Sequence, residues 1–179
     1  AFNLMDTTTP DRDEQAESPY VDELDLFVTS TDLQGVVLPM SLSDSFVYEK
    51  RHRNVMHFLY SEPSVSGEPT RNDFHQKFNP FLAYAARCTS SFPFAFEPMA
   101  LSDIDSLLNK LVGYQENDDW KSTSPDWYRF YHDYRQPKDI PSIPFPDRPF
   151  GDGGYLDNKP FTYATETVMS RTASVPVDR

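Results

Sequence analysis

The chain has 179 residues, 38% hydrophobic and 25% charged, enough for one folded domain with a buried core. Its formal net charge of −12 argues against a nucleic-acid partner, which needs a basic footprint, and against long-range attraction to anionic lipid surfaces. One cysteine, Cys88, excludes an internal disulfide, and no apolar run approaches the ~18 residues of a spanning helix.

Residues 1–23 read as an exposed acidic tail, rich in Thr, Asp, Glu and Pro. The stretch has no basic start and no apolar centre, so it is not read as a secretory signal, and with the lone thiol a cytoplasmic setting is expected. Leu24, Leu26 and Val28 alternate with Asp25, Phe27 and Thr29, which predicts a strand ending at Ser30-Thr31-Asp32. Gly35 to Leu38 continues or restarts it, and 45–49 and 56–60 are predicted as a second and third strand. Between these two, Lys50-Arg51-His52-Arg53 reads as a solvated turn; the alternative is a cationic patch for a lipid phosphate or an acidic partner. Residues 61–70 read as a loop.

Asn79-Pro80 predicts a helix start, with Phe81, Leu82, Tyr84, Ala85 and Ala86 following to about Cys88, a buried structural thiol. Ser102 and Asp105 suggest a capping box for a second helix. Its apolar stripe is Ile104, Leu107, Leu108, Leu111 and Val112, and Gly113 ends it. Trp120, Trp127, Tyr128, Phe130, Tyr131 and Tyr134 come next, then Pro137, Pro141, Pro144, Pro146 and Pro149, which enforce extended backbone. Asp118-Asp119 and the four histidines show no metal-ligand spacing, and Asp152 to Asp157 does not match a calcium loop, so no metal or cofactor is expected.

Three of the six glycines then fall within Gly151-Asp152-Gly153-Gly154. This density predicts a sharp turn presenting one carboxylate, Asp152, and Phe161 to Met169 follows with helix-compatible composition. Alone, such a turn reads most simply as a loop with a solvated Asp.

The longer pattern Asp152-Gly153-Gly154, Asn158 and Pro160 resembles the Asp-Gly-Gly signature of patatin-like acyl hydrolases. Residues 86–96, with Ser90, Ser91 and Pro93, resemble that family's serine, proline and phenylalanine segment, and residues 24–33 resemble its strand ending in Thr-Asp-Leu. The resemblance covers roughly 24–169, matches poorly over about 101–150, and marks that stretch as an insertion: a lid or acyl-chain wall, or else an appended surface layer held by its own aromatics. It implies an α/β fold, a three-layer sandwich around a mainly parallel sheet and incomplete on its N-terminal side, with residues 24–179 as the C-terminal part of the domain. It also implies lipid acyl-ester hydrolysis by a Ser-Asp dyad, with Asp152 as general base and with Gly153, Gly154, Asn158, Pro160, Ser90 and Pro93 shaping the site. For Ser90 to Pro93, plain core packing is the equal alternative. The family's Gly-x-Ser-x-Gly nucleophile is not found in this chain; Ser64-Val65-Ser66-Gly67 has no glycine two residues before Ser66. An N-terminal segment or a partner chain is therefore expected to complete the site. Its substrate would be a lipid or another acyl ester, met by peripheral membrane contact without a spanning segment. The alternative is a non-catalytic patatin-like interaction or scaffolding module.

Overall fold

The computed structural model describes residues 23–61, 71–110, 121–132, 134 and 140–171. The tail expected over 1–23 and the loop expected over 61–70 lie outside them except for Glu23 and Ser61, which are strand residues, and so do the helix end at Gly113 and the Asp118-Asp119 pair. Among the described residues, one sheet of four strands runs in the order β3-β2-β1-β4. These are β1 (Glu23–Ser41), β2 (Phe46–Ser61), β3 (Arg71–Asn72) and β4 (Phe150–Asp152). All three pairings are antiparallel. This corrects the expected sandwich around a mainly parallel sheet. The physical reason lies in the connection between Ser41 and Phe46: four residues make a hairpin, whereas a parallel neighbour needs a crossover of a dozen or more.

The hairpin also changes the reading of the basic run. Lys50 to Arg53 is mid-strand in β2, not a turn, so the two strands predicted over 45–49 and 56–60 are one. The register shifts between Thr31 and Val36, so Asp32 to Gly35 on β1 stand opposite His52 alone. The excursion is held by His52, whose Nδ1 lies 2.7 Å from the Asp32 carbonyl. Gly35 adopts a φ of 72°, and a Cβ there would stand 2.8 Å from the His52 ring.

Alternation along β2 turns Met56, Phe58 and Tyr60 to one face. That face receives α1 (Asn79–Thr89), whose start after Phe78 matches the Asn-Pro expectation, although no side chain caps it. Trp127 and Phe130 from a 3-10 turn (Pro125–Phe130), with Phe145 and Phe150, complete the same core. Phe81 and Phe130 stack at 4.5 Å between centroids, and Tyr131 and Phe145 at 4.3 Å. Trp127, Phe130, Phe145 and Phe150, with Tyr131 and Tyr134 packed against them, thus fill the space between sheet and α1, while Tyr128 stays exposed. Each such buried ring contributes about 1.5–3 kcal/mol of transfer free energy.

The helix α2 (Asp103–Leu108) buries Ile104 and Leu108 against this core, but Ser102 makes no side-chain cap. Asp103 instead accepts from the Ala100 amide, and Asp105 accepts from the Ser122 amide and hydroxyl. On the opposite face of the sheet lies α3 (Phe161–Ser170), in the predicted place after the glycine turn. It touches β1 through Tyr163 stacked on Phe27 at 5.6 Å, and Arg171 past its end pairs with Glu23 and Asp25. None of its residues is buried; Val168 is 75% and Met169 82% exposed, leaving an apolar outer surface.

Candidate functional site

The glycine turn sits on the short edge strand β4. Ser30, Thr31 and Asp32 of β1 pair with Asp152, Gly151 and Phe150. The Thr31 hydroxyl donates to the Asp152 carbonyl at 2.8 Å, which fixes the backbone that carries the carboxylate. Asp152 then caps a 3-10 turn (Gly153–Tyr155): its Oδ1 accepts from the Gly154 amide at 2.7 Å. Its second oxygen has no hydrogen-bond partner among the described residues, and the side chain is half-buried.

Gly153 is required by contact rather than by its dihedral. A Cβ there would stand 2.3 Å from Thr29 Oγ1 and 2.4 Å from the Thr29 carbonyl oxygen. The latter is backbone of a central strand and has nowhere to move. Gly153→Ala is therefore expected to cost about 1–3 kcal/mol through overpacking, read as a lower urea midpoint. An unchanged midpoint would mean the turn is not pressed onto β1. At Gly154 a Cβ would stand 3.1 Å from Asp152 Oδ1 and 3.3 Å from Asn158 Oδ1, so this glycine keeps the space around the carboxylate open.

The remaining expected site residues are not all gathered at Asp152. Asn158 is exposed beside Gly154, and Pro160 is the residue that leads into α3. Ser90 is exposed at the end of α1, where its hydroxyl donates to the Arg87 carbonyl, and Pro93 lies in the turn beyond it. No hydrogen bond joins Ser90 to the glycine turn among the described residues. In that turn Phe94 has a φ of 67°, strained for a residue with a side chain, and Phe92 and Phe96 are exposed beside it. The serine directly opposite Asp152 in register is Ser30, but it is 1% exposed and its hydroxyl accepts from Asn54 Nδ2 at 2.9 Å. Ser66 lies outside the described residues. Burial pushes the Cys88 thiol up to about 12, so it stays protonated and matches the structural thiol expected.

Sequence reasoning did not find the anchor behind the turn. Asp32 is fully buried; its Oδ2 accepts from Arg148 Nη1 at 2.7 Å and from the Tyr134 hydroxyl at 2.6 Å, and its Oδ1 from the Gln34 amide at 2.9 Å. Arg148 also donates to the carbonyls of Gly35 and Ile143. Burial, and then the bond to Asp32, push the Tyr134 hydroxyl far above its ordinary range, so it remains a donor. A lone arginine inside a Pro-Phe run was the available signal: a cation there needs a buried acceptor. Arg53 reaches the far side of the turn, with Nε 3.6 Å from Asp157 and Nη1 3.4 Å from the Tyr163 hydroxyl.

No protein-family model, curated protein or solved structure matches the chain. No group of three or more His, Cys, Asp or Glu among the described residues could hold a metal ion. No helix among them is long and apolar enough to cross a membrane.

Proposed function

We infer that the chain works in the hydrolysis of lipid acyl esters, providing Asp152 as the general base of a Ser-Asp pair. The observation that carries this reading is the state of that carboxylate: one oxygen is pinned by the Gly154 amide, and the other is uncommitted among the described residues. An aspartate held in one orientation with a free acceptor oxygen suits proton abstraction better than a solvated loop residue does. The glycines around it, and the likeness of this turn to the Asp-Gly-Gly block of patatin-like hydrolases, support the same reading.

The serine comes from a segment outside these residues, upstream or on a partner chain. Two surfaces suit such a segment. β1 is paired on its β4 side over Ser30 to Asp32 alone among the described residues, and Gly153 covers Thr29, which leaves 23–28 without a strand partner there. Leu24 and Leu26, and the exposed Phe92, Phe94 and Phe96, give apolar area for it to cover. In the reaction, Asp152 takes the serine proton as the hydroxyl oxygen attacks the acyl carbon. The proton passes to the leaving alkoxide, and water, deprotonated by Asp152, then releases the acid and restores the serine.

The second reading is a non-catalytic interaction module, favoured by the absence of Gly-x-Ser-x-Gly and by the same apolar area. Fluorophosphonate labelling of the native protein, with the modified peptide mapped by mass spectrometry, separates the two. A label on a serine outside the 179 residues is expected under hydrolysis. A label on Ser66 or Ser90 would move the nucleophile into this chain, and no label on folded protein would favour the interaction module.

A further inference from the structure

The basic run of β2 lines a cavity that the glycine turn does not use. Arg51 and Arg53 of β2, Arg71 at the start of β3 and Arg129 of the 3-10 turn over 125–130 all line one cavity of about 390 Å³. Three separate segments thus bring four guanidinium groups to one place in a chain of net charge −12. Arg71 and Arg129 have a structural task, since both pair with the buried Asp73 and Arg129 lies over the Phe78 ring, but no described contact of the fold accounts for Arg51.

The carboxylates that touch these groups are fewer. Arg71 and Arg129 share Asp73, at 2.6 Å and 3.0 Å, and Asp73 is fully buried. Arg53 has Asp157 at 3.6 Å. Arg51 has no ion pair or hydrogen bond among the described residues. Among the described residues four cations therefore stand against two carboxylates. Asp73 does more than neutralise: one oxygen on each arginine fixes both forks, while donors on each remain unspent. A guanidinium held from behind by a buried carboxylate has lost its rotamer freedom already, which is how an oxyanion site is preorganised. Tyr131 and Tyr134 on one side and Tyr163 on the other supply flat walls for the body of a ligand.

We propose that this cavity binds a phosphate monoester, its oxygens taken up by Arg51, Arg53, Arg71 and Arg129. Phosphate fits better than carboxylate because cations from three segments surround the space, which suits a tetrahedral dianion rather than a planar group met by a single fork. The phosphate belongs either to a lipid headgroup or to a soluble ester. The proposal does not rest on Asp152, and binding is expected unchanged in Asp152→Asn.

The test is calorimetric titration of the full chain with inorganic phosphate and with glycerol 3-phosphate, at constant ionic strength, with acetate as the control anion. Co-sedimentation with phosphatidylcholine vesicles, with and without phosphatidic acid, runs beside it. Saturable binding of a phosphate species and not of acetate is expected. Arg51→Gln, which breaks no described contact of the fold, is expected to weaken it on the order of tenfold, with partial retention in Arg51→Lys. Vesicle binding that needs phosphatidic acid and is competed by glycerol 3-phosphate assigns the site to a headgroup; glycerol 3-phosphate binding without vesicle binding assigns it to a soluble ester. Equal binding of acetate, no saturable binding of any phosphate species, or unchanged affinity in Arg51→Gln overturns the proposal.

Discussion

Asp152→Asn is expected to lower ester hydrolysis by about 10²–10⁴-fold, the range over which a positioned general base acts. Stability should change little, by less than about 0.5 kcal/mol, because an asparagine carbonyl oxygen can still accept from the Gly154 amide. The backbone lock through the Thr31 hydroxyl does not involve the side chain at all. The variant therefore separates chemistry from folding. The measurement is turnover of a short-chain ester by the protein with its labelled serine in place, alongside its thermal midpoint. Equal turnover by variant and parent would sink the assignment of Asp152 as the base. A fall in turnover matched by a fall in the midpoint would mean the residue holds the turn rather than moves a proton.

Arg148→Met should cost about 3–5 kcal/mol of stability, because it leaves a fully buried carboxylate without its cation. Domains of this size hold only about 5–15 kcal/mol in total, so the loss is a large share. After the change, Asp32 keeps the Tyr134 hydroxyl and the Gln34 amide, which are not enough to offset its desolvation. The arginine side chain also crosses the Tyr134 ring, 5.4 Å from its centroid, and methionine would keep part of that packing. Asp32→Leu with Arg148→Met removes both charges and should recover part of the loss, as buried pairs exchanged for apolar ones do. Urea unfolding of the two variants checks this. A single-variant cost below about 1 kcal/mol would mean water reaches the pair.

The parts of the fold that were legible in the sequence are those whose signal is local. The alternation of Leu24, Leu26 and Val28, the Asn79-Pro80 helix start, the helix after Pro160 and the glycine-dense turn all lie within a few residues of their cause. Strand direction was missed although its cause is just as local. The expectation of a parallel sheet came with the resemblance, while the connection of four residues after Ser41 already demanded an antiparallel hairpin. Lys50 to Arg53 read as a turn because consecutive charges suit solvent. In the structure the excursion Asp32 to Gly35 lies on the partner strand, and β2 runs straight past it. The aromatic run gave no period at all, since 3-10 turns and proline-fixed backbone impose neither 2.0 nor 3.6 residues. Trp127 and Phe130 are nonetheless in the core, with Tyr131 and Tyr134 packed against it. Around Asp152 the glycine turn was readable, but the contact of Gly153 with Thr29 and the Asp32–Arg148 pair were not, the members of the pair being 116 positions apart.

That separation has a kinetic meaning. The hairpin of β1 and β2 closes through its own short connection and can form early, at little loop-closure cost. The pair that ties Arg148 to Asp32, and the bond from Thr31 to Asp152 across 121 positions, close only when the far end of the chain returns to β1. Interactions made that late are missing from the folding transition state, so the Arg148 variant should lose its stability through faster unfolding rather than slower folding. The Asp152 carboxylate thus reaches its pinned orientation in the same step that seals the core, and partly folded forms of this chain would not present it.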